Sequence, residues 1–355
     1  MVISVSASLY EHLGEQLRKL SALVGLQQQA DENVRLLGRL LGSGANLPRT
    51  SPVWRSDVSD DCTPVEFSIA FDPGRTTLRV LVEPTAEEPS PAANLAVALD
   101  VLDSLSGTPG FARDRFDAVR DLFLRGPLDG KFSLWFSLVL SADARPLLKA
   151  YFNPASCGQP RARLVVREAL QRLGFGRAFD RLEKHALHRG PLDELSFFSV
   201  DLADTPQARV KVYVSHYHVG VPDLELAALA TEVDPAAVRT FCDVVGASQA
   251  SFDARPAVSS YSFVAGDTDC ASTFSLYHPI RSYIDNDESA LRRVRDLMDR
   301  YGVDDSVVLD AVEALAERGL GESAGLIPHV STRLSGQRRG MTVYLSSEAF
   351  RAVGV

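Results

Sequence analysis

The feature that most constrains the fold is an internal repeat in which two helices precede two strands, five times along 355 residues. The helical segments carry apolar residues three and four positions apart, and the strand segments alternate apolar with polar residues. Repeats of this kind usually build an array or a closed ring. Because an open sheet would expose strand edges that closure removes, we predict an α+β fold. It is a ten-stranded antiparallel β-barrel surrounded by a ring of ten α-helices, in one domain over residues 1–355.

Turn residues and alternation locate the predicted elements. The predicted strand pairs are 64–71 with 78–82, 132–140 with 148–152, 195–202 with 209–215, 259–264 with 273–278, and 329–334 with 341–346. The predicted helix pairs before them are 8–24 and 31–41, 93–105 and 111–124, 161–173 and 177–187, 223–231 and 234–245, and 287–300 and 304–318. Turn chemistry at Asp72-Pro73-Gly74 supports the first hairpin.

The stretch from Arg209 to Val214 alternates valine with residues that can hold a phosphate oxygen. Successive side chains on a strand point to opposite faces, so Arg209, Lys211 and Tyr213 share one face. Other strands repeat this phase. We expect the valines to receive helices and the polar face to line a lumen, together with Glu66, Ser68, Arg79, Lys149, Tyr151, Ser275, Tyr277 and Tyr344. Such a lumen is suited to a polyanionic ligand.

An alternative for any single strand is a sheet whose polar face meets solvent. That alternative weakens when the five hairpins are compared, because tyrosine recurs in the second strand of four of them. Solvent-facing strands favour mixtures of Thr, Glu and Lys instead, so the lumen is the preferred interpretation.

Composition excludes several classes of protein. A net charge of -9 argues against a nucleic-acid-binding domain. Cys62, Cys157, Cys242 and Cys270 lack the spacing of a zinc site or a disulfide framework, so we expect reduced thiols in the cytoplasm. The segment 1–9 lacks the features of a signal peptide. No apolar run approaches the roughly 18 residues of a membrane span, so no membrane partner is expected.

Four motifs carry a resemblance that covers almost the whole chain. They are Thr63 to Ser68, Lys149 to Pro154, Arg209 to Tyr213 and Thr342 to Ser346, on successive repeats. They resemble strand motifs of aromatic prenyltransferases of the dimethylallyltryptophan synthase type, above all the shorter bacterial members that act on indoles. The fold of that family, the ABBA barrel, agrees with the predicted repeat.

The resemblance implies an enzyme, a transferase that moves a dimethylallyl group from dimethylallyl diphosphate to an aromatic ring, usually indole. The leading hypothesis for the acceptor is L-tryptophan or a tryptophan-derived metabolite. It implies no cofactor and no absolute need for a metal ion, and the chain has no DDxxD-like signature. Protein cations must then neutralise the diphosphate. The partners would be two small molecules, the prenyl diphosphate and the aromatic acceptor, in secondary metabolism.

The resemblance also assigns residues. Glu66 would accept the indole N–H and raise the nucleophilicity of the ring. The diphosphate would bind Arg79, Lys149, Arg209 and Lys211, with Arg333 or Arg338 contributing from the last hairpin and Arg333 preferred. An allylic cation would be shielded by Tyr151, Tyr213, Tyr277 and Tyr344. Trp135 would belong to the pocket of the aromatic acceptor, although a buried tryptophan can also be plain core.

Three positions depart from the family pattern. The stretch from Ser133 to Ser137 lacks the lysine that helps remove the ring proton in several members, so diphosphate or water could take that proton. Ser275 stands where the family has a glutamine, and His329 stands where a tyrosine is common. Two other functions stay open: a phenol or tyrosine prenyltransferase on the same barrel, and a non-catalytic carrier of an aromatic metabolite. The cations speak against a carrier.

Overall fold

The computed structural model describes residues 8–125, 132–246 and 251–350. Residues 1–7, where no signal peptide is predicted, lie outside the described residues. The helices are α1 Leu9–Leu23, α2 Ala30–Leu41, α3 Pro91–Ser104, α4 Asp114–Phe123, α5 Gln159–Arg172, α6 Ala178–His185, α7 Val221–Ala228, α8 Pro235–Val245, α9 Asp287–Tyr301 and α10 Ser306–Leu315. The strands are β1 Val65–Asp72, β2 Arg75–Val82, β3 Leu134–Ser141, β4 Ala144–Phe152, β5 Asp193–Asp201, β6 Val210–His216, β7 Val219–Gly220, β8 Ser251–Phe252, β9 Ala257–Phe263, β10 Thr273–His278, β11 Val330–Ser335 and β12 Arg338–Ser346.

Ten of these strands form a closed barrel in the order β1, β12, β11, β10, β9, β6, β5, β4, β3, β2. Every pair is antiparallel, and β1 closes the barrel by pairing with β12. Helix α1 packs against α10, so the outer layer closes at the same place. The described residues thus confirm the predicted ten-stranded barrel inside ten helices. The two-residue strands β7 and β8 form a separate small ladder that the sequence does not predict.

Several hairpins are tighter than predicted. Strand β4 begins at Ala144 and β12 at Arg338, whereas alternation alone starts them a few residues later. Pro146 therefore lies within β4. Opposite it, the pairing of β3 with β4 is irregular between Val139 and Ser141 of β3. Proline cannot donate a hydrogen bond to a neighbouring strand, and such irregularities accommodate it. In the first hairpin, Gly74 adopts a φ of 74°, which a residue without a side chain accepts readily.

The outer face of the barrel is apolar and receives the helices. Val210, Val212 and Val214 are all fully buried, and burying such a side chain stabilises the fold by about 1.5–3 kcal/mol. Helix α1 begins with a capping box between Ser8 and Glu11, which satisfies backbone N–H groups at its first turn. No helix within the described ranges is long and apolar enough to cross a membrane.

The barrel has two ends that differ in their connections. At the turn end the two strands of each hairpin meet, as Asp72 and Arg75 do in the first hairpin. At the connection end the strands join the helices; β1 begins there just before Glu66, and β12 ends there at Ser346. Glu66 and Ser346 are direct partners across this seam.

Candidate active site

The register of the strands gathers the predicted polar residues on one face. Residues directly opposite each other on neighbouring strands share a face of the sheet. Ser68 lies opposite Arg79 and Tyr344. Around the barrel, the same holds for Ser137 with Lys149, Trp135 with Tyr151, Ser199 with Lys211, Phe197 with Tyr213, and Ser275 with Arg333. The predicted phase of the lumen is therefore confirmed, including Trp135 and Ser137.

Asp201 organises the cations of the lumen, and sequence reasoning missed it. Its two carboxylate oxygens lie 3.3 Å from Nζ of Lys149 and 3.0 Å from Nε of Arg209. Burial alone would raise the pKa of Asp201, but the charges of Lys149 and Arg209 outweigh it and lower the pKa to about 2. The carboxylate is therefore ionised and orients both cations.

Lys211 and Arg79 complete a four-cation cluster with Lys149 and Arg209. Lys211 is 6% exposed, and within the described residues it pairs with no carboxylate. Burial, followed by the charges of Lys149 and Arg209, lowers the pKa of Lys211 well below its usual range. The Nε atom of Arg79 is buried and has no hydrogen-bond partner in the part of the chain that the structure describes. The cluster therefore has hydrogen-bond donors and positive charge available for an anion.

Arg333 faces the lumen, but it pairs with a carboxylate outside the four-cation cluster. Its guanidinium forms an ion pair with Asp72 at the turn end. Gly340 lies opposite Arg333, and a side chain there would begin 3.1 Å from Nη2 of Arg333 and crowd Asp72. Arg333 is thus already paired, whereas Arg338 lies exposed at the start of β12.

Four tyrosines from alternate strands form a continuous arc in the lumen. Consecutive ring centroids are 5.9 Å apart from Tyr151 to Tyr213, 6.0 Å from Tyr213 to Tyr277 and 6.0 Å from Tyr277 to Tyr344. The arc touches the four-cation cluster, since Nζ of Lys211 lies 5.9 Å from the ring centroid of Tyr213. Aromatic faces at this distance attract a positive charge.

Glu66 lies at the connection end of the lumen and is 7% exposed. Burial, followed by the negative charge of Asp60, raises the pKa of Glu66 well above its usual range. No side-chain hydrogen bond to Glu66 occurs among residues 8–125, 132–246 and 251–350. An N–H donor placed opposite this carboxyl would therefore gain an acceptor that nothing else in the described chain uses.

An aromatic wall lies on the β3 side of Glu66. The ring of Trp135 stacks on Phe132 at 4.0 Å and lies 5.6 Å from Phe197, and Val58 packs on the same cluster. Trp135 is therefore both core and lumen wall. Glu83, which sequence reasoning missed, accepts a hydrogen bond of 2.5 Å from Ser56 behind this wall, and burial raises the pKa of Glu83 to about 7.

The acidic segments 57–61 and 285–288 lack DDxxD spacing, and carboxylates in both have structural partners. Asp287 accepts hydrogen bonds from the backbone N–H groups of Gly325, Leu326 and Ile327. Asp61 accepts a hydrogen bond from the hydroxyl of Thr63. In the described part of the chain, no three His, Cys, Asp or Glu side chains are grouped so that they could hold a metal ion.

A closed barrel with a cation cluster, a tyrosine arc and a carboxyl in one lumen defines the ABBA class of prenyltransferases. The family model for tryptophan dimethylallyltransferase matches residues 34–308. The chain belongs to the tryptophan dimethylallyltransferase family, and it is a prenyltransferase.

Solved structures show the same likeness over nearly the whole chain. The 6-dimethylallyltryptophan synthase from Micromonospora olivasterospora, in complex with DMASPP and Trp, is 42% identical, with a TM-score of 0.92 over 97% of this chain and 99% of that one. The 5-dimethylallyltryptophan synthase from Streptomyces coelicolor is 34% identical, with a TM-score of 0.90 over 98% and 99%. Prenyltransferase PriB, in a ternary complex with L-tryptophan and dimethylallyl thiolodiphosphate, is 32% identical, with a TM-score of 0.88 over 97% of each chain.

Proposed function

We propose that the enzyme transfers the dimethylallyl group of dimethylallyl diphosphate to the indole ring of L-tryptophan. The C–O bond of the donor breaks, and the diphosphate leaves with the electron pair. A ring carbon then forms the new C–C bond, and its proton is lost to restore aromaticity. The observation that carries this proposal is the placement of the four-cation cluster and Glu66 in one lumen, with the tyrosine arc beside the cations.

The four-cation cluster binds the diphosphate and stabilises it as it leaves. Within the described residues, Lys211 forms no ion pair and Nε of Arg79 has no hydrogen-bond partner, and Asp201 holds Lys149 and Arg209 in place. Charge-assisted hydrogen bonds to a leaving anion are strong in a site shielded from water. This positive charge supports a reaction that needs no metal ion. Arg333 contributes less, because Asp72 already neutralises it.

The tyrosine arc shields the allylic cation, and Glu66 orients its nucleophile. The faces of Tyr213 and its neighbours attract the cation and keep water from it. Glu66 accepts the indole N–H, and its ionised form becomes favourable as positive charge develops on the ring. Trp135 contributes to the wall of the acceptor pocket. The departing diphosphate or a water takes the ring proton.

We further propose that the new bond forms at C6 of the indole. Support comes from the identity of 42% to a 6-dimethylallyltryptophan synthase, against 34% to a 5-dimethylallyltryptophan synthase. We also propose that residues 1–355 act as one domain, because all five hairpins build a single closed sheet. The four cysteines are free thiols, which supports a reducing cytoplasmic location.

The test is incubation of the purified chain with dimethylallyl diphosphate and L-tryptophan in EDTA, read by mass spectrometry. We expect one added dimethylallyl unit, and NMR of the product should place it on C6. Addition at another ring carbon would overturn the C6 assignment alone. Addition to tyrosine or another phenol, but not to tryptophan, would change the proposed acceptor from an indole to a phenol. If no aromatic acceptor is prenylated, with or without Mg²⁺, the remaining hypothesis is a non-catalytic carrier of aromatic metabolites.

A further inference from the structure

Both tryptophans of the chain lie close to one buried carboxyl, that of Glu83, which no step of the proposed reaction uses. Glu83 is 2% exposed and directly follows β2, and its backbone N–H donates to the carbonyl oxygen of Pro64 at 2.9 Å. The pairing of β2 with β3 ends at Val82 and Phe136. The next position in the same register brings Glu83 opposite Trp135, and residues opposite each other share a face of the sheet.

The two tryptophans share a second property, a buried indole N–H without a hydrogen-bond partner. The Nε1 atoms of Trp54 and Trp135 are both in this state among the described residues. Buried N–H groups in proteins nearly always have an acceptor. Burial raises the pKa of Glu83 to about 7, although the hydroxyl of Ser56 and both indole N–H groups act in the opposite direction. Glu83 is therefore the acceptor that both indole donors approach.

A third donor to Glu83 fixes the segment that carries Trp54. The hydroxyl of Ser56 donates to Oε2 of Glu83 at 2.5 Å, and Oγ of Ser56 accepts from the backbone N–H of Val58 at 3.3 Å. Val58 in turn packs against Trp135. The carboxyl of Glu83 thus joins two parts of the aromatic wall, the segment before β1 and strand β3.

Trp135 lies between Glu83 and the groups that line the lumen. It is opposite Tyr151, the first ring of the tyrosine arc. Leu81 packs on the same cluster as Trp135 and lies opposite Glu66. A rotation of the Trp135 indole would therefore change the space available to an aromatic ring whose N–H lies on Glu66.

Glu83 and Glu66 have different charged neighbours. Asp57, in the segment before β1, adds to burial in raising the pKa of Glu83. Asp60 does the same for Glu66, and Asp60 is itself paired with Arg281. Glu83 forms no ion pair with a described residue, and its hydrogen-bond donors are neutral groups. A change in the charge of Glu83 therefore acts first on Ser56 and the two indoles.

We infer that Glu83 is a positioning residue for prenyl transfer, whose ionised carboxylate accepts the indole N–H of Trp135 and so sets the angle of this ring in the acceptor pocket. Trp54 and Ser56 complete its set of donors. Protonation of Glu83 removes an acceptor and releases Trp135 from the fixed angle. This inference rests on the proposed function, because it requires an aromatic acceptor beside Trp135. Its consequence is an acceptor KM that rises as the pH falls below about 7.

The first measurement is the intrinsic fluorescence of the purified enzyme without substrates between pH 5 and 9, excited where tyrosine does not absorb. Trp54 and Trp135 are the only tryptophans of the chain, so the signal comes from the two indoles beside Glu83. Wild type should show a transition with a midpoint near pH 7. Glu83→Gln should abolish this transition, and Glu66→Gln should keep it. A transition that survives unchanged in Glu83→Gln would overturn the inference.

The second measurement is steady-state kinetics with L-tryptophan at pH 6 and pH 8. The acceptor KM of wild type should be about three- to tenfold higher at pH 6, within the limit for one proton. Glu83→Gln should reduce this ratio at least threefold and leave the donor KM within twofold of wild type. Trp135→Phe, which keeps Glu83 but lacks the N–H, should reduce the ratio equally. The double variant should reduce it no further, because both changes remove the same contact.

Glu15→Gln is the matched control, because Glu15 forms an exposed ion pair of 3.1 Å with Lys19 on α1. It should leave the fluorescence transition and both KM values unchanged. An acceptor KM that Glu83→Gln shifts equally at both pH values would indicate a structural role only and would overturn the inference. A wild-type ratio in Glu83→Gln and Trp135→Phe would do the same.

Failure of the proposed function gives a different result from failure of this inference. If the wild-type enzyme prenylates no aromatic acceptor, the proposed function and the inference are overturned together. If it prenylates L-tryptophan and either contrary result above is obtained, the inference alone is overturned.

Discussion

The two ends of the lumen treat charge in opposite ways. Towards the turn end, Arg79, Lys149, Arg209 and Lys211 concentrate positive charge around one carboxylate, Asp201. Towards the connection end, Glu66 is a buried carboxyl whose pKa is raised, and no described side chain donates to it. Under the proposed function, each end lacks the group that its substrate would bring, an anion at one end and an N–H donor at the other. On this proposal, substrate binding, and not folding, supplies the partners that the polar groups of the lumen lack.

The largest effect should come from the connection end. Glu66→Gln should lower kcat by about 100-fold or more, because a neutral amide cannot take up the charge that develops on the ring N–H. The donor KM should stay within twofold of wild type. Steady-state kinetics with L-tryptophan measures both constants.

A stability measurement shows whether a loss of activity in Glu66→Gln arises from misfolding. Gln removes a buried carboxyl without changing its shape, so the melting temperature of Glu66→Gln should be no lower than that of wild type. A kcat within a few-fold of wild type would remove Glu66 from the mechanism and end the contrast between the two ends.

The next effect belongs to the turn end. Lys211→Met should raise the donor KM by about 10-fold to 150-fold, which corresponds to a charge-assisted hydrogen bond of about 1.5–3 kcal/mol. It should also raise the melting temperature, because an apolar side chain replaces a buried amine that forms no ion pair with a carboxylate in the described chain.

Lys149→Met is the matched variant for Lys211→Met. It should also weaken the donor, but it leaves Asp201 with one partner fewer and should stabilise the protein less, or destabilise it. If both variants changed the melting temperature alike, the pairing with Asp201 would not distinguish the two lysines.

The pH dependence of donor binding tests the role of Lys149 at the turn end of the lumen. Burial, followed by the charge of Arg209, lowers the pKa of Lys149 to about 7 in the empty barrel. The diphosphate binds the protonated lysine, so the donor KM should rise as pH increases above 7, by at most about tenfold per pH unit for this group. Kinetics between pH 6 and 9 should show the rise in wild type and a shallower one in Lys149→Met. Identical slopes would contradict the assignment.

The titration of Lys149 also predicts the direction in which pH changes the free energy of unfolding. An unfolded lysine keeps its proton to about pH 10.4. Between pH 7 and that value the unfolded chain therefore binds more protons than the folded chain. The contribution of Lys149 to the free energy of unfolding should thus rise with pH over this range, and denaturant titrations at two pH values in wild type and Lys149→Met would detect it.

The smallest effect should come from Arg333. Because Asp72 already pairs with this guanidinium, Arg333→Gln should raise the donor KM only about two- to fivefold, the range of a partly screened ion pair. Donor kinetics beside Lys211→Met provides the comparison. A rise as large as that of Lys211→Met would place Arg333 in the four-cation cluster.

The barrel and its lumen face were predictable because their signals are local. Alternation within one strand decides which side Lys211 and Tyr213 face, and repetition over five hairpins makes an open sheet improbable. The first strand of the third hairpin is less regular. A register shift between Leu195 and Phe197 breaks its alternation, so the sequence does not tell which of Phe197 and Phe198 lies in the lumen. The structure pairs Phe197 with Tyr213 and stacks Phe198 on Phe123, in the outer core.

The partners of the charged residues were not predictable from the sequence. Asp201 resembles any acidic residue before a turn, and its role depends on Lys149 from a neighbouring strand. Asp60 and Arg281 are 221 positions apart, and neither sits in a periodic pattern. Such contacts depend on how the loops cross the connection end, and alternation carries no information about that path.

From the seam between β1 and β12, we expect the active site to be a late product of folding. Ser68 and Tyr344 face each other across it, although they lie 276 positions apart in a chain of 355 residues. Contacts of such long sequence separation form slowly, because a long loop must close before they repay its entropy. A nascent or partly folded chain can complete four hairpins and still have a lumen open along one side, unable to shield a carbocation. Catalytic activity therefore reports that the last hairpin has docked, which makes prenyl transfer itself a readout for the final step of folding.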